Sequence, residues 1–175
     1  MTTPSAPTET PRYLFRNFNV WLDGVSYLGQ AHEIDLPNPK VKTTDYEAAG
    51  MVMPIELQQG FEKIEGKVKM PTLHPSALAL FGLKIGDIRS FMATGAFVDE
   101  DGTVHSCVVH MWGFLKEVKL DTWKIAEKKM DTEYHISLRQ FDLEMDGQPV
   151  LSMSPTDVSV GGVSQTASVR AALLI

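Results

Sequence analysis

Residues 127–155 read EKKMDTEYHISLRQFDLEMDGQPVLSMSP, and this stretch decides the fold class. Tyr134, Ile136 and Leu138 recur at every second position, the spacing that puts side chains on one face of a strand. Phe141, Leu143 and Met145 keep the period but take the other parity. A change of phase between Leu138 and Phe141 implies a bulge near Arg139-Gln140, or a strand that swaps its buried face as it leaves one sheet. Asp146-Gly147 then supplies the chemistry of a tight hairpin turn, because Asp tolerates and Gly favours positive φ. Both features suit an antiparallel sandwich or barrel.

The same grammar extends upstream. In NVWLDGVSYLG (19–29), Asp23-Gly24 separates two short β-prone runs. Residues 89–120 read as one long hairpin turning at Asp99-Glu100-Asp101-Gly102, with CVVHMWGFL (107–115) apolar at both parities. Such a strand is expected to be buried on both sides, in a core or in an assembly. Between residues 40 and 70, two extended segments flank AAGMVMP (48–54), an uncharged stretch that is unusual for an exposed loop. Ile64, Val68 and Met70 then oppose Lys63, Glu65, Lys67 and Lys69 as in a strand with one wet side, and Gly66 suggests a bulge or a close backbone approach. The one helix expected spans about 74–82, with Pro75 in its first turn, Gly82 at its stop and Leu78, Leu80 and Phe81 on its apolar side, plugging one end of the β-structure. Gly161-Gly162 punctuates the tail.

With 175 residues, 43% hydrophobic and 22% charged, the chain matches one globular domain, here 13–175, preceded by a Thr- and Pro-rich flexible arm at 1–12. No apolar run reaches the ~18 residues of a membrane span, and the start lacks the basic and apolar regions of a signal peptide, so a cytoplasmic product is expected. The net charge of −6 argues against a phosphate-gripping surface.

Candidate chemistry is sparse. HSCVVH (105–110) is the only local metal-type cluster, but on a strand His105 and Cys107 share a face while His110 points away, leaving too few convergent ligands. Cys107 lies in an apolar strand that suits a small core residue better than an activated nucleophile. The pairs Asp99/Asp101, Asp121/Glu127 and Asp131/Glu133 fall at turns and strand edges, where solvated carboxylates are the ordinary case. Trp21, Trp112 and Trp123 could form a sugar or base platform, but no basic groove accompanies them. No phosphate-loop, dinucleotide, serine-hydrolase or zincin motif occurs. No catalytic residue, cofactor site or metal site is assigned, and assembly is favoured over catalysis.

Taken in order, NVWLDGVSYLG (19–29), LPNPKVKTTDYEAAGM (36–51), ALALFGL (77–83), GFLKEV (113–118), DTWK (121–124) and EMDG (144–147) resemble the major tail tube protein of contractile-tailed bacteriophages. The tube subunit of R-type pyocins is similar. The resemblance runs from about Phe18 to the C-terminus. It implies a mainly β fold, an antiparallel sandwich or barrel with one flanking helix, whose sheets join between subunits into a closed ring of six. Rings would stack into a hollow tube, a conduit for DNA ejection through the host envelope. Implied partners are further copies of the chain, the sheath, baseplate and tail-terminator proteins, and, transiently in the lumen, the tape measure protein and DNA. Neither sequence-specific nucleic-acid binding nor membrane insertion by the monomer is implied. The location would be the virion tail, after assembly in the host cytoplasm.

The resemblance also assigns a contact between rings to Thr43, Thr44, Asp45, Tyr46, Glu47, Ala48, Ala49, Gly50, Met51, Val52, Met53 and Pro54. Two rival functions remain: the tube of a DNA-free injection particle, pyocin-like or of type VI secretion, and a small ligand-binding β-sandwich using its tryptophans.

Overall fold

Turn chemistry sets the strand order. The computed structural model describes residues 12–80, 86–122 and 130–174. Its strands are β1 (Leu14–Leu22), β2 (Val25–Ser26), β3 (Glu33–Asp35), β4 (Val41–Tyr46), β5 (Ile55–Phe61), β6 (Ile64–Met70), β7 (Arg89–Val98), β8 (Val104–Leu120), β9 (Thr132–Met145), β10 (Gln148–Met153), β11 (Val158–Val160) and β12 (Val163–Ser164). Two short helices, α1 (Pro75–Leu78) and α2 (Ala167–Ala172), complete it. Asp23 and Gly24 take φ of 49° and 80°, and Asp146 and Gly147 take 51° and 74°. Positive φ at both central residues is what a two-residue turn between twisted antiparallel strands requires. The hairpins expected at 23–24, 99–102 and 146–147 are all present.

Ten strands form one antiparallel sheet in the order β12-β11-β10-β9-β8-β7-β1-β2, with β6 and β3 as a branch on β9. The expected sandwich or barrel is therefore, within the subunit, an open sheet that forks. The fork explains the phase change in β9. Trp112 pairs with Gln140 and Gly113 with Leu138, so Arg139 is an extra residue on β9. Below this bulge β9 pairs with β6 from Leu138 to Thr132, and above it with β10 from Phe141 to Met145. One bulge both restores the apolar alternation and lets the strand change its second neighbour.

Residues of one parity build the core. Val20, Leu22, Phe91, Val109, Met111, Tyr134, Ile136, Phe141 and Met153 are all buried, joined by Ile64, Val68 and Met70 from the branch. Each such side chain contributes roughly 1.5–3 kcal/mol relative to exposure. The helix at α1 is shorter than expected, four residues without a side-chain cap, and Phe81 and Gly82 lie outside the described residues. It still closes part of the core. Ala77 is fully buried, Leu78 and Leu80 pack against the cluster, and the Tyr27 and Ser76 hydroxyls are hydrogen-bonded at 2.7 Å. The second helix, α2, was not anticipated and buries no side chain.

Two glycines contrast. Gly66 sits in an unbroken ladder, and a Cβ there would meet its nearest atoms at 3.6–3.9 Å, so neither the bulge nor the close approach expected at this position exists. The close approach is at Gly113 instead, where a Cβ would lie 2.1 Å from the Ser137 carbonyl oxygen. Beside the Arg139 bulge, β8 and β9 come too close for any side chain.

Candidate assembly surfaces

The segment nominated for contact folds as a free-standing ribbon. Among the described residues β4 and β5 pair only with each other, from Tyr46 opposite Ile55 down to Val41 opposite Phe61. Every residue of both strands is exposed. The turn between them is pinned by the Met51 amide donating to the Ala48 carbonyl at 3.1 Å, with Gly50 at a φ of 91°. Val52 is fully exposed and Met53 is 70% exposed. The structure thus brings Thr43 to Pro54 together at one projecting end, with Thr43 to Tyr46 on a strand and Glu47 to Pro54 at and beyond the turn.

Among the described residues the sheet has three open ends. Its main path stops at β2 and β12, and its branch at β3. Val25, Val160 and Val163 stand 51%, 52% and 65% exposed near the two main edges. Unpaired edges of this kind are templates for another strand unless something covers them.

The strand expected to be buried on both sides is buried on one. In β8, Val109, Met111, Gly113 and Leu115 are buried, whereas Val108, His110 and Trp112 are half-buried and Phe114 is exposed. His110 and Trp112 stack with ring centroids 5.9 Å apart on this outer face. Across the ladder from them lie Asp142 and Gln140. Trp21 has its indole nitrogen buried without a hydrogen-bond partner, and Trp123 lies outside the described residues. An opening of about 400 Å³ lies at the fork between Phe61, Ile64, Leu138, Arg139, Met153 and Asp157 and has no tryptophan in its wall.

His105, singled out as a possible metal ligand, instead joins two turns. Its Nδ1 lies 2.7 Å from the Asp146 carboxylate in the β9–β10 turn, and its Nε2 lies 3.3 Å from Asp99 in the β7–β8 turn. The hydrogen bond to Asp146, then that to Asp99, raises the imidazole above its ordinary value. Asp146 is lowered, first by His105 and then by the Ser106 amide, and Asp99 is lowered chiefly by the Thr103 amide. Cys107 is half-buried against the core, and desolvation raises its thiol, the opposite of activation. Of the acidic pairs, Asp99 serves the turn clamp, Asp131 faces His32 at 3.7 Å, and Glu127 lies outside the described residues.

The lysines on the wet side of β6 and just before it are held by carboxylates. Lys69 meets Glu33 at 2.8 Å, Lys67 meets Asp35 at 2.7 Å and Lys63 meets Glu65 at 2.7 Å. A second carboxylate hub sequence reasoning missed is Asp157, which accepts hydrogen bonds from Ser164 at 2.5 Å and Thr166 at 2.6 Å and faces Arg170 at 3.5 Å. Ser164 and Thr166, in that order, lower its carboxyl. The cluster of Ser, Thr and Arg within six residues of one another was its only sequence signal.

Comparison with known proteins agrees with this geometry. A family model described as "Phage tail tube protein FII" matches residues 11–173. No curated protein matches the chain in sequence. Among solved structures, a chain of the anti-feeding prophage cap, a tube-terminating cap, superposes with a TM-score of 0.55 at 9% identity, covering 82% of this chain and 95% of that one. The sheath/tube terminator of an extracellular contractile injection system gives 0.54 at 8%, covering 82% and 99%. The sheath-tube complex of such a system gives 0.53 at 9%, covering 73% and 86%. At these identities the likeness is one of fold.

Proposed function

Because the chain belongs to the phage tail tube protein FII family, we propose that this tail tube subunit forms six-membered rings that stack into the hollow inner tube of a contractile tail. The observation that carries the reading is a sheet open at both ends in a family of tube proteins. Joining β2 of one copy to the β11–β12 edge of the next would remove both edges with one heterologous contact, and a rotation that closes gives a ring. The proposed role is structural rather than catalytic, a reading supported by the tube family to which the chain belongs.

The sheath, baseplate and tail-terminator proteins are the proposed neighbours, in keeping with the sheath, tube and cap assemblies that contain the similar folds. The tape measure protein and then DNA would occupy the lumen, the tube being assembled in the host cytoplasm and carried in the virion tail. The face bearing Lys63, Lys67 and Lys69 is placed away from the lumen, because a fixed cation there would retard phosphate.

Negative-stain electron microscopy of the concentrated subunit, alone and with a sheathless tube seed, tests this. Sixfold rings or hollow rods are expected; monomers that also fail to extend the seed would sink the proposal. The double variant Met51→Asp with Met53→Asp should keep its circular dichroism and lose stacking, and normal tubes from it would remove the ring contact from this turn.

A further inference from the structure

The β4–β5 ribbon has two chemically different faces. Opposed residues of an antiparallel pair share a face, and successive pairs alternate. From the turn downward, Tyr46 with Ile55 and Thr44 with Leu57 fall on one face, while Asp45 with Glu56 and Thr43 with Gln58 fall on the other. Over these pairs the first face is apolar and uncharged, the second acidic. The register shift between Lys42 and Thr43 leaves Gln59 as an extra residue on β5, so β4 keeps its alternation, with Lys42 at the base of the first face and Val41 at the base of the second.

Nothing within the described residues covers the apolar face. Tyr46, Ile55 and Leu57 are 49%, 45% and 46% exposed. Exposure is the ordinary state of Asp45 and Glu56, but it leaves three large apolar side chains in water on a ribbon that has no third strand. A lone two-stranded ribbon is marginal and takes its stability from a surface laid against it.

We infer that the Tyr46–Ile55–Leu57 face of the ribbon docks on a second copy of this chain, leaving the Asp45–Glu56 face in solvent. The inference rests on the tube reading and deepens it. Charge identifies the face: every copy carries −6, so a like partner repels the acidic side and is indifferent to the uncharged one. The turn from Ala48 to Pro54 is also uncharged, so the apolar surface continues from the exposed Val52 and Met53 into this face. A modest contact is sufficient where several copies engage at once, since after the first the rest are intramolecular. The docking surface is therefore one side of the ribbon rather than the whole segment 43–54. Thr43 and Asp45 point away from it, and Ile55 and Leu57, outside that segment, belong to it.

Two measurements test the assignment. Tubes grown from a seed by Tyr46→Lys with Leu57→Lys should fall in yield at least about tenfold, while Asp45→Lys with Glu56→Lys, which relieves like charge, should yield at least as much as the parent. Loss of the ribbon in the first variant would mimic the effect, so the second measurement uses small uncharged probes. In a Cys107→Ser background, Tyr46→Cys and Asp45→Cys are labelled with maleimide as free subunits and as tubes. Protection on assembly is expected at position 46 and not at 45. Tubes in which both positions are protected, or 45 alone, overturn the inference and leave the tube reading standing. Failure of the parent chain to extend any seed overturns the tube reading, and the inference with it.

Discussion

Three positions carry information that residue type alone conceals. Gly113 and Gly66 look alike in sequence, yet only Gly113 has a carbonyl oxygen where its Cβ would be. Gly113→Ala must push β8 and β9 apart and should cost about 3 kcal/mol, read as a lowered urea midpoint. Gly66→Ala fits at ordinary contact distance and should be neutral or stabilise by about 0.5 kcal/mol, through reduced freedom of the unfolded chain. Equal losses at both would contradict the register described. His105 gives a pH signature whose sign follows from its neighbours. Its folded value is raised, so its contribution is complete below its unfolded value of about 6.5 and is lost as pH rises through the folded value. Asp99 and Asp146 are lowered, so theirs is complete above about 3.9 and is lost as pH falls through the folded values. The stability gap between the parent and His105→Gln should be widest from about pH 4 to 6.5 and narrow toward pH 9. A gap flat across that range would mean that the imidazole acts only by packing. None of this was legible beforehand, because which carbonyl meets Gly113 and which carboxylates meet His105 depends on strands distant in sequence.

Elements were legible where the deciding chemistry is local. The Asp-Gly turns need only two residues with positive φ, and the phase change from Leu138 to Phe141 records its own bulge. Reading stopped short where an element's surroundings decide. CVVHMWGFL is apolar at both parities and the subunit covers only the face of Val109 and Met111, so the pattern alone does not say whether a core or an assembly meets the other face. The faces of the ribbon were hidden because they depend on the length of the turn, which sets whether Tyr46 meets Ile55 or Glu56. The helix α2 was missed because no apolar stripe marks it; it is held through polar groups on Asp157. Asp157→Asn should therefore loosen the C-terminal segment without unfolding the core. Trypsin cleavage after Arg170 should speed up while the thermal midpoint stays nearly unchanged, and an unaltered cleavage rate would show that α2 is held by something other than this carboxylate.

At the scale of the whole molecule, charge opposes the assembly that the open edges favour. Six subunits in the proposed ring would carry about −36, whereas Lys69, Lys67 and Lys63 are already engaged by Glu33, Asp35 and Glu65 within their own subunit. Such exposed pairs add little to stability but leave those lysines less able to attract a neighbouring copy. In the proposed tube, contacts between copies would then rest on strand edges and on uncharged surface, with like-charge repulsion working against them. Salt screens that repulsion over a length of about 10 Å at 0.1 M and about 30 Å at 0.01 M, while apolar contact and backbone pairing are much less affected. Seeded tube growth should accordingly speed up as ionic strength rises from about 0.01 M to about 0.3 M, the sign opposite to that of an assembly held by ion pairs. Light scattering with a fixed seed concentration measures it. Growth that slows with salt would show that complementary charges join the copies, and would shift the weight of the interface from the uncharged ribbon face to the acidic and basic side chains around it.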